Sequence, residues 1–279
     1  MKDSFGPFAA GVVVGCAASA AIYCLHRGKK TGVVPVECAN PHPEWKPGQK
    51  QNRPFDDSEM LALDPADLGA SATYPLVISA VVPRPIAFTS SVNSEGVGNL
   101  APFSYFNVVS HDPPCVAVSV CTSGVRGGGL KDTAHNILET GEFVVNIMSE
   151  WFVEAANHTC GNFDPGVNEM ELSGLTPVPS VKVAPPRVKE SAFHMECKLV
   201  HSHKINNSQG KHHATVFIGE VVLFHVHKDV AGKSPSGKTI LDLSKYLPMS
   251  RLGGNYYGRT TSYFDLPRPD RGWQNVTRE

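Results

Sequence analysis

The chain has 279 residues, with 25 basic and 26 acidic side chains and a formal net charge of -1. That length admits one large domain or two small ones, and the even charge implies neither a nucleic-acid-sized basic face nor an acidic tail, so no nucleic-acid partner is expected. Cys16, Cys24, Cys38, Cys115, Cys121, Cys160 and Cys197 form an odd, scattered set without a CxxC pair, which argues against a disulfide framework or zinc ribbon and for reduced, mostly buried thiols.

In chain order, the first element is FAAGVVVGCAASAAIYCL, Phe8 to Leu25, an uncharged run followed at once by His26, Arg27, Lys29 and Lys30. As a helix it rises roughly 27 Å, enough for a thin bilayer. A cleaved secretory signal, a retained anchor and a packed globular helix compete for it. Positive charge after the run opposes a signal peptide and, by the positive-inside rule, keeps the following domain in the cytosol. Residues 1–30 are therefore expected to be a membrane anchor, with a soluble cytoplasmic or mitochondrial protein as the alternative. Gly11 and Gly15 make a GxxxG, a spacing that pairs membrane helices but also arises by chance in an Ala/Gly-rich run. A cytosolic domain makes the sequons at Asn157, Asn206 and Asn275 coincidental. Residues 31–73, rich in proline and polar side chains and lacking periodicity, are expected to be a disordered tether.

From Tyr74 onward short apolar runs recur: LVISAVV, IAFTSSV, CVAVSVCT, EFVVNIMS, HMECKLVHSH and ATVFIGEVVLFHVH. Gly, Pro, Asn and Asp separate them, the pattern of a small antiparallel barrel or sandwich. Two helices interrupt it. One runs from Asp132 to about Thr140, with Ala134, Ile137 and Leu138 on one face and Gly141 as its stop. The other starts after Ser149, carries Glu150 in its first turn and ends before Gly161.

Chemistry concentrates in three places. GNLAPFSYFNVVSHDPP, Gly98 to Pro114, packs aromatics as a strand does, yet is broken by Pro102 and interspersed with Asn99, Ser104 and Asn107; an edge strand tolerating proline and the wall of a flat ligand both fit it. TSSV, Thr89 to Val92, ends a strand with three hydroxyls. KDT, Lys131 to Thr133, opens a helix after the glycine-rich TSGVRGGGL, where free N–H groups and a cation suit a phosphate. The competing reading is a plain cap by Asp132 or Thr133 with a glycine turn at Gly127 to Gly129. The glycine run lacks the spacing and the βαβ setting of a dinucleotide fingerprint or P-loop.

RPIAFTSSVNSEGVGNLAPFSYFNVVSHDPPCVAVSV, KDTAHNILETGEFVVNIMS and IGEVVLFHVHKDV, in this order and spacing, resemble the flavin reductase-like, FMN-binding split-barrel proteins, a group of flavoprotein reductases and oxygenases. The resemblance spans 74–254. It implies a mainly β fold, a split β-barrel with a few helices, assembled as a homodimer with FMN near the subunit interface. By matching motif, Thr89, Ser90 and Ser91 together with Lys131, Asp132 and Thr133 would meet the ribityl chain and phosphate. Asn99, Ala101, Pro102, Phe103 and Ser104 would line the isoalloxazine, a ring that wants an apolar wall and a few fixed donors and acceptors.

His225 stands where similar proteins often carry a histidine near the flavin, which makes it the one candidate for a catalytic proton donor or a nicotinamide contact. His201, His203 and His227 alternate on strand patterns and read as solvent-facing rather than as a metal site, since no third ligand accompanies them. His212 and His213 read as loop residues. SRLGGNYYGR, with Arg251, Gly253, Gly254 and Tyr256, is similar to the family's ending and would close over the ligand or the partner subunit; a surface tail with a glycine turn is the alternative. Residues 255–279 form an extension without an interpretable pattern. The implied activity is an FMN-dependent oxidoreductase in which NADH or NADPH docks transiently and reduced flavin passes electrons to free flavin, a metal complex, oxygen or a partner oxygenase. An FMN-dependent oxygenase or oxidase of a small organic substrate and a non-catalytic FMN-binding module are the alternatives.

Overall fold

The structure, a computed structural model, describes residues 33–55, 60–124, 129–164 and 166–268. The expected anchor Phe8 to Leu25 lies outside the described residues, as do Gly127, Gly128 and Asn275. Among the described residues no helix is long and apolar enough to cross a membrane.

From residue 33 on the chain forms one compact unit, built on an antiparallel sheet of seven strands: β1 Ala87–Val92, β2 Gly98–Phe103, β3 Phe106–His111, β4 Pro114–Cys121, β5 Glu142–Ile147, β6 Phe193–Asn206 and β7 His212–Val226. Their order is β2-β1-β5-β6-β7-β4-β3. β2 and β3 are thus the two edges of the sheet, yet only Ser104 and Tyr105 separate them in sequence. A link that short forces the two edges to meet, so the sheet curls into a barrel. Among the described residues no ladder joins β2 to β3, which leaves the barrel split along that seam; a bond from Ser119 N to Tyr105 O at 2.8 Å pins the crossing. This accounts for Pro102. An edge strand pairs on one side alone, so a residue without an N–H costs it no ladder bond on the open side.

Alternation along the strands sends one set of side chains inward. Ala87, Phe103, Phe106, Val118, Val120, Phe143 and Phe217 fill the interior together with Ala134 and Ile137 of helix α2, Asp132–Thr140. Gly219 makes room for the Phe143 ring, because a Cβ there would lie 2.7 Å from its Cε1. The outer face of β1 and β2 is also covered. Phe88 and Leu100 pack under Phe152 of the 3-10 turn Glu150–Phe152, Ala156 of helix α3, Val153–His158, Met170 of helix α4, Glu169–Leu172, and Met249 of the short strand Met249–Arg251. α2 ends at Gly141, left-handed at φ 72, as its sequence predicts. Leu138, expected on its buried face, is exposed.

Other expectations need correction. LVISAVV is not a strand: it lies largely in helix α1, Pro65–Ala80, capped by Asp64 Oδ1 accepting from Ala66 N at 2.8 Å. Its carbonyl end is held by the buried Arg84 guanidinium, which donates to Ile78 O at 2.5 Å, Val81 O at 2.7 Å and Leu252 O at 2.8 Å. A cap from a residue just beyond the helix, itself anchored to Leu252, outweighs the strand preference of β-branched residues. The tether is also not structureless throughout. Val36–Glu37 pairs in parallel with Ser262–Tyr263 of the C-terminal extension, and α1 begins within 31–73. His212 and His213 open strand β7 rather than a loop. Of the described cysteines, none bridged, Cys115 and Cys197 are buried whereas Cys38 and Cys160 are exposed.

Candidate functional site

The open edge strand β2, the start of α2 and the segment that follows α3 enclose a cavity of about 370 Å³, at the small end of the ~300–1,000 Å³ usual for ligand sites. Asn99, Ala101, Pro102 and Phe103 form one wall, and Lys131, Asp132 and Thr133 form another. These are two of the three segments that the sequence singled out, brought together from 28 or more residues apart by the packing of α2 on β1 and β2.

The start of α2 is not a plain capped helix end. Lys131 occupies the N-cap position in an extended conformation and its own side chain makes no cap hydrogen bond, so the first-turn N–H groups receive none from the N-cap residue. A helix N-terminus and the Lys131 ammonium are the donor types that an anion requires. The Thr133 hydroxyl contributes differently from the expectation. With the Asn99 amide turned to suit its neighbours, Asn99 Oδ1 accepts from Thr133 Oγ1 at 2.7 Å and from Leu100 N at 3.2 Å, while its Nδ2 faces Glu169 Oε1 at 3.3 Å. A hydroxyl has one proton. Given to Asn99, it leaves the helix N–H groups and Lys131 as donors to an anion.

Residues that the sequence reading missed complete the cavity. Ser123, Glu169 and the run from Thr159 to Asp164 line it. Glu169 is buried and accepts from Leu100 N at 3.0 Å, which steadies the backbone of the edge strand beside the wall. Gly161 lies under the Phe163 ring: a Cβ there would meet Phe163 Cε2 at 2.7 Å. The signal for this run was the glycine-aromatic spacing in CGNFDPG, which a turn explains equally well. At the rim, the thiol of Cys160 is pushed up by burial, opposed in part by Arg251 and Lys131. The Arg251 guanidinium stacks at 4.5 Å over the Tyr257 ring and donates to Gly254 O at 2.8 Å, so the RLGG segment is an ordered border rather than a loose tail, with Gly253 close against Ser79 of α1.

Thr89, Ser90, Ser91 and Ser104 do not line this cavity. The first three are buried. Thr89 bonds Ala87 O at 3.3 Å, Ser90 donates to Pro186 O at 2.5 Å, and Ser91 accepts from Asn136 Nδ2 at 3.1 Å. Ser104 accepts from Arg84 Nε at 3.3 Å. Their hydroxyls hold β1 and the seam in place.

His225 is also elsewhere. Pro102, Phe88, Asn146, His194 and His225 form one cross-strand row through β2, β1, β5, β6 and β7, so His225 is four strands, or about 19 Å of sheet, from the cavity wall. There its Nε2 meets the buried Glu196 carboxylate at 2.6 Å. His201, His203 and His227 are exposed, and among the described residues no group of three or more His, Cys, Asp or Glu side chains could hold a metal ion.

A family model described as the flavin reductase like domain matches residues 79–246. An uncharacterised protein of Bacillus subtilis, YwrF, is 41% identical over 72% of this chain and 96% of its own length. Among solved structures, nitrilotriacetate monooxygenase component B from Bacillus cereus is 37% identical with a TM-score of 0.69, over 75% of this chain and all of that one. A protein of Shewanella frigidimarina described as a flavin reductase with split barrel domain is similar in fold, with a TM-score of 0.61 at 22% identity over 73% of this chain and 96% of that one.

Proposed function

We infer that this chain, which belongs to the family of the flavin reductase like domain, is a flavin-dependent oxidoreductase that holds FMN in the cavity between β2 and α2 and is reduced by NADH or NADPH. The observation that carries this reading is the uncapped start of α2, set with Lys131 at one end of a cavity whose other wall is Ala101, Pro102 and Phe103. An anion site and an apolar wall in one recess match a flat ring joined to a phosphate.

The bound flavin would supply the hydride and electron transfer; the chain supplies position and surroundings. Lys131 and the first-turn N–H groups of α2 bind the phosphate. Ala101, Pro102, Phe103 and Phe163 offer the ring apolar surface and exclude water from that side. Asn99, fixed by Thr133 and Glu169, keeps one amide orientation at the wall. No side chain of the cavity has to act as a base, which agrees with the placement of His225 on another part of the barrel. A homodimer belongs to the same reading: β3 is an edge strand with Val108 and Val109 exposed, a surface that is ordinarily covered.

Anaerobic mixing of the flavin-loaded protein with NADH or NADPH should bleach the visible flavin band, and readmitted oxygen or added flavin should restore it. A band unchanged by both nucleotides would rule out the reductase activity.

A further inference from the structure

Arg251 stands directly opposite Tyr257 in the ribbon formed by Met249–Arg251 and Tyr257–Arg259. Its guanidinium lies 4.5 Å over the Tyr257 ring and donates to Gly254 O at 2.8 Å. The Tyr257 hydroxyl in turn donates to Asn157 Oδ1 at 2.8 Å and meets the thiol of Cys160, which lines the flavin cavity. A single aromatic ring thus joins the guanidinium to the cavity wall. Its charge is felt there: of the two cations that oppose the rise of the Cys160 thiol, Arg251 acts more strongly than Lys131, itself a residue of the wall.

This arginine is held in place but not neutralised. The ring and the Gly254 carbonyl that fix it are uncharged, and among the described residues no carboxylate pairs with it. Arg259 on the same ribbon shows the contrast, with Nη2 at 2.7 Å from Glu150 Oε1. A guanidinium carries five N–H donors in a rigid plane, and a half-buried one without a counter-charge favours the arrival of an anion. The flavin phosphate is already assigned to Lys131 and the α2 start, so Arg251 is a second cation with no anion assigned to it. The wall carboxylates Asp132 and Glu169 have partners of their own. A planar fork fixed in advance matches a carboxylate through two parallel bonds and loses little freedom in doing so.

We propose that Arg251 is a specificity-determining residue that holds the carboxylate of a small organic acid at the mouth of the flavin cavity, with the body of the acid against the bound ring. It rests on the flavin reading for what the acid packs against. The molecules that meet the flavin are then organic acids in preference to neutral compounds of the same shape.

The test is titration of the full-length, FMN-loaded protein with benzoate and with benzamide, its uncharged counterpart, followed by calorimetry and by the visible absorbance of the flavin. Benzoate should perturb the flavin band saturably and bind at least tenfold more tightly than benzamide. Arg251→Ala should abolish that preference, and Arg251→Lys, which keeps a charge but not the fork, should retain only part of it. Arg259→Ala, which removes an arginine already paired with Glu150, should leave it unchanged. The proposal is refuted if benzoate and benzamide bind equally, if benzoate binds without perturbing the flavin, or if the preference survives in Arg251→Ala. Weakened FMN binding in Arg251→Ala would assign the guanidinium to the flavin, and weakened NADH binding with the benzoate preference intact would assign it to the nucleotide; either overturns the proposal. Should Arg251→Ala fail to fold, Arg251→Lys decides, and a preference equal to that of the wild type refutes. If FMN does not bind the wild type, the flavin reading fails; benzoate binding that Arg251→Ala abolishes would then still support the acid site, and its absence would refute both.

Discussion

His225 Nε2 lies 2.6 Å from Oε1 of Glu196, a carboxylate with no solvent exposure, on the outer face of β6 and β7. Burial acts to raise the Glu196 carboxyl, but N–H bonds from Val181 at 2.9 Å and Lys182 at 2.6 Å, with His225, outweigh it and hold the group below its ordinary value. Beside it, His194 bonds Asn146 Oδ1 at 2.7 Å through Nδ1. Burial, then Arg187 and His225, pushes its pKa down from 6.5 to about 4.

Both shifts make the fold sensitive to acid. The unfolded chain takes up a proton at His194 near pH 6.5 and the folded one only near pH 4, so stability is lost as pH falls through that window. The contribution of Glu196, present above the unfolded carboxyl value of about 4.3, is lost as pH falls further. Urea unfolding from pH 7.5 to 4 should show a loss on the order of 3 kcal/mol from His194. His194→Gln should be less stable at pH 7.5 but have a shallower pH slope. A slope equal to that of the wild type would remove His194 as the origin.

Lys131→Glu tests the phosphate end of the cavity. Lys131 is exposed and its side chain caps nothing, so the thermal midpoint should move little. A carboxylate facing the phosphate should weaken FMN binding at least tenfold, or about 1.4 kcal/mol, read by quenching of flavin fluorescence. Equal affinity would return the α2 start to an ordinary helix end.

What the sequence made legible were the parts in which neighbours along the chain decide the outcome. The Asp132 to Thr140 period, the Gly141 stop and the strand alternation all follow from local rules, and the motif resemblance placed Asn99 to Phe103 opposite Lys131 to Thr133. The rest depends on partners distant in sequence. LVISAVV became helical because Arg84, held in place by the distant Leu252 carbonyl, caps it. The TSSV hydroxyls were consumed by Pro186, Asn136 and the strand itself. His225 was displaced from the cavity by strand order, which no single segment encodes. Thr159 to Asp164 reached the cavity only because the helical segment Glu150–His158 turns the chain back over β1 and β2.

Inside the barrel, Gly219→Ala should be destabilising although removing a glycine from a strand's interior ordinarily helps. The added Cβ would lie 2.7 Å from Phe143 Cε1 and 3.3 Å from Cys197 Cβ, and Phe143 has no exposed surface into which to retreat. Overpacking of this kind costs about 1–3 kcal/mol. A lowered urea midpoint with an unchanged m-value would show it, and Phe143→Leu in the same chain should recover part of the loss by vacating the ring's space. Additive losses in the double variant would contradict the contact.

Cys160 reports on occupancy of the flavin cavity independently of turnover. It is exposed and lines that cavity, whereas Cys197, fully buried in the barrel, has its thiol pushed far up by burial. Thiolate fraction and access set alkylation rates; burial raises the Cys160 thiol and slows its reaction, but iodoacetamide should still modify Cys160 in the native protein and Cys197 only after unfolding. Saturating FMN should slow the Cys160 reaction several-fold, because a ring against Pro102 and Phe103 closes the approach to the facing wall. Peptide mapping distinguishes this from any general tightening of the fold: Cys38, exposed and not among the residues that line the cavity, should react at the same rate with or without FMN. Protection of neither or of both would mean that flavin does not occupy this recess.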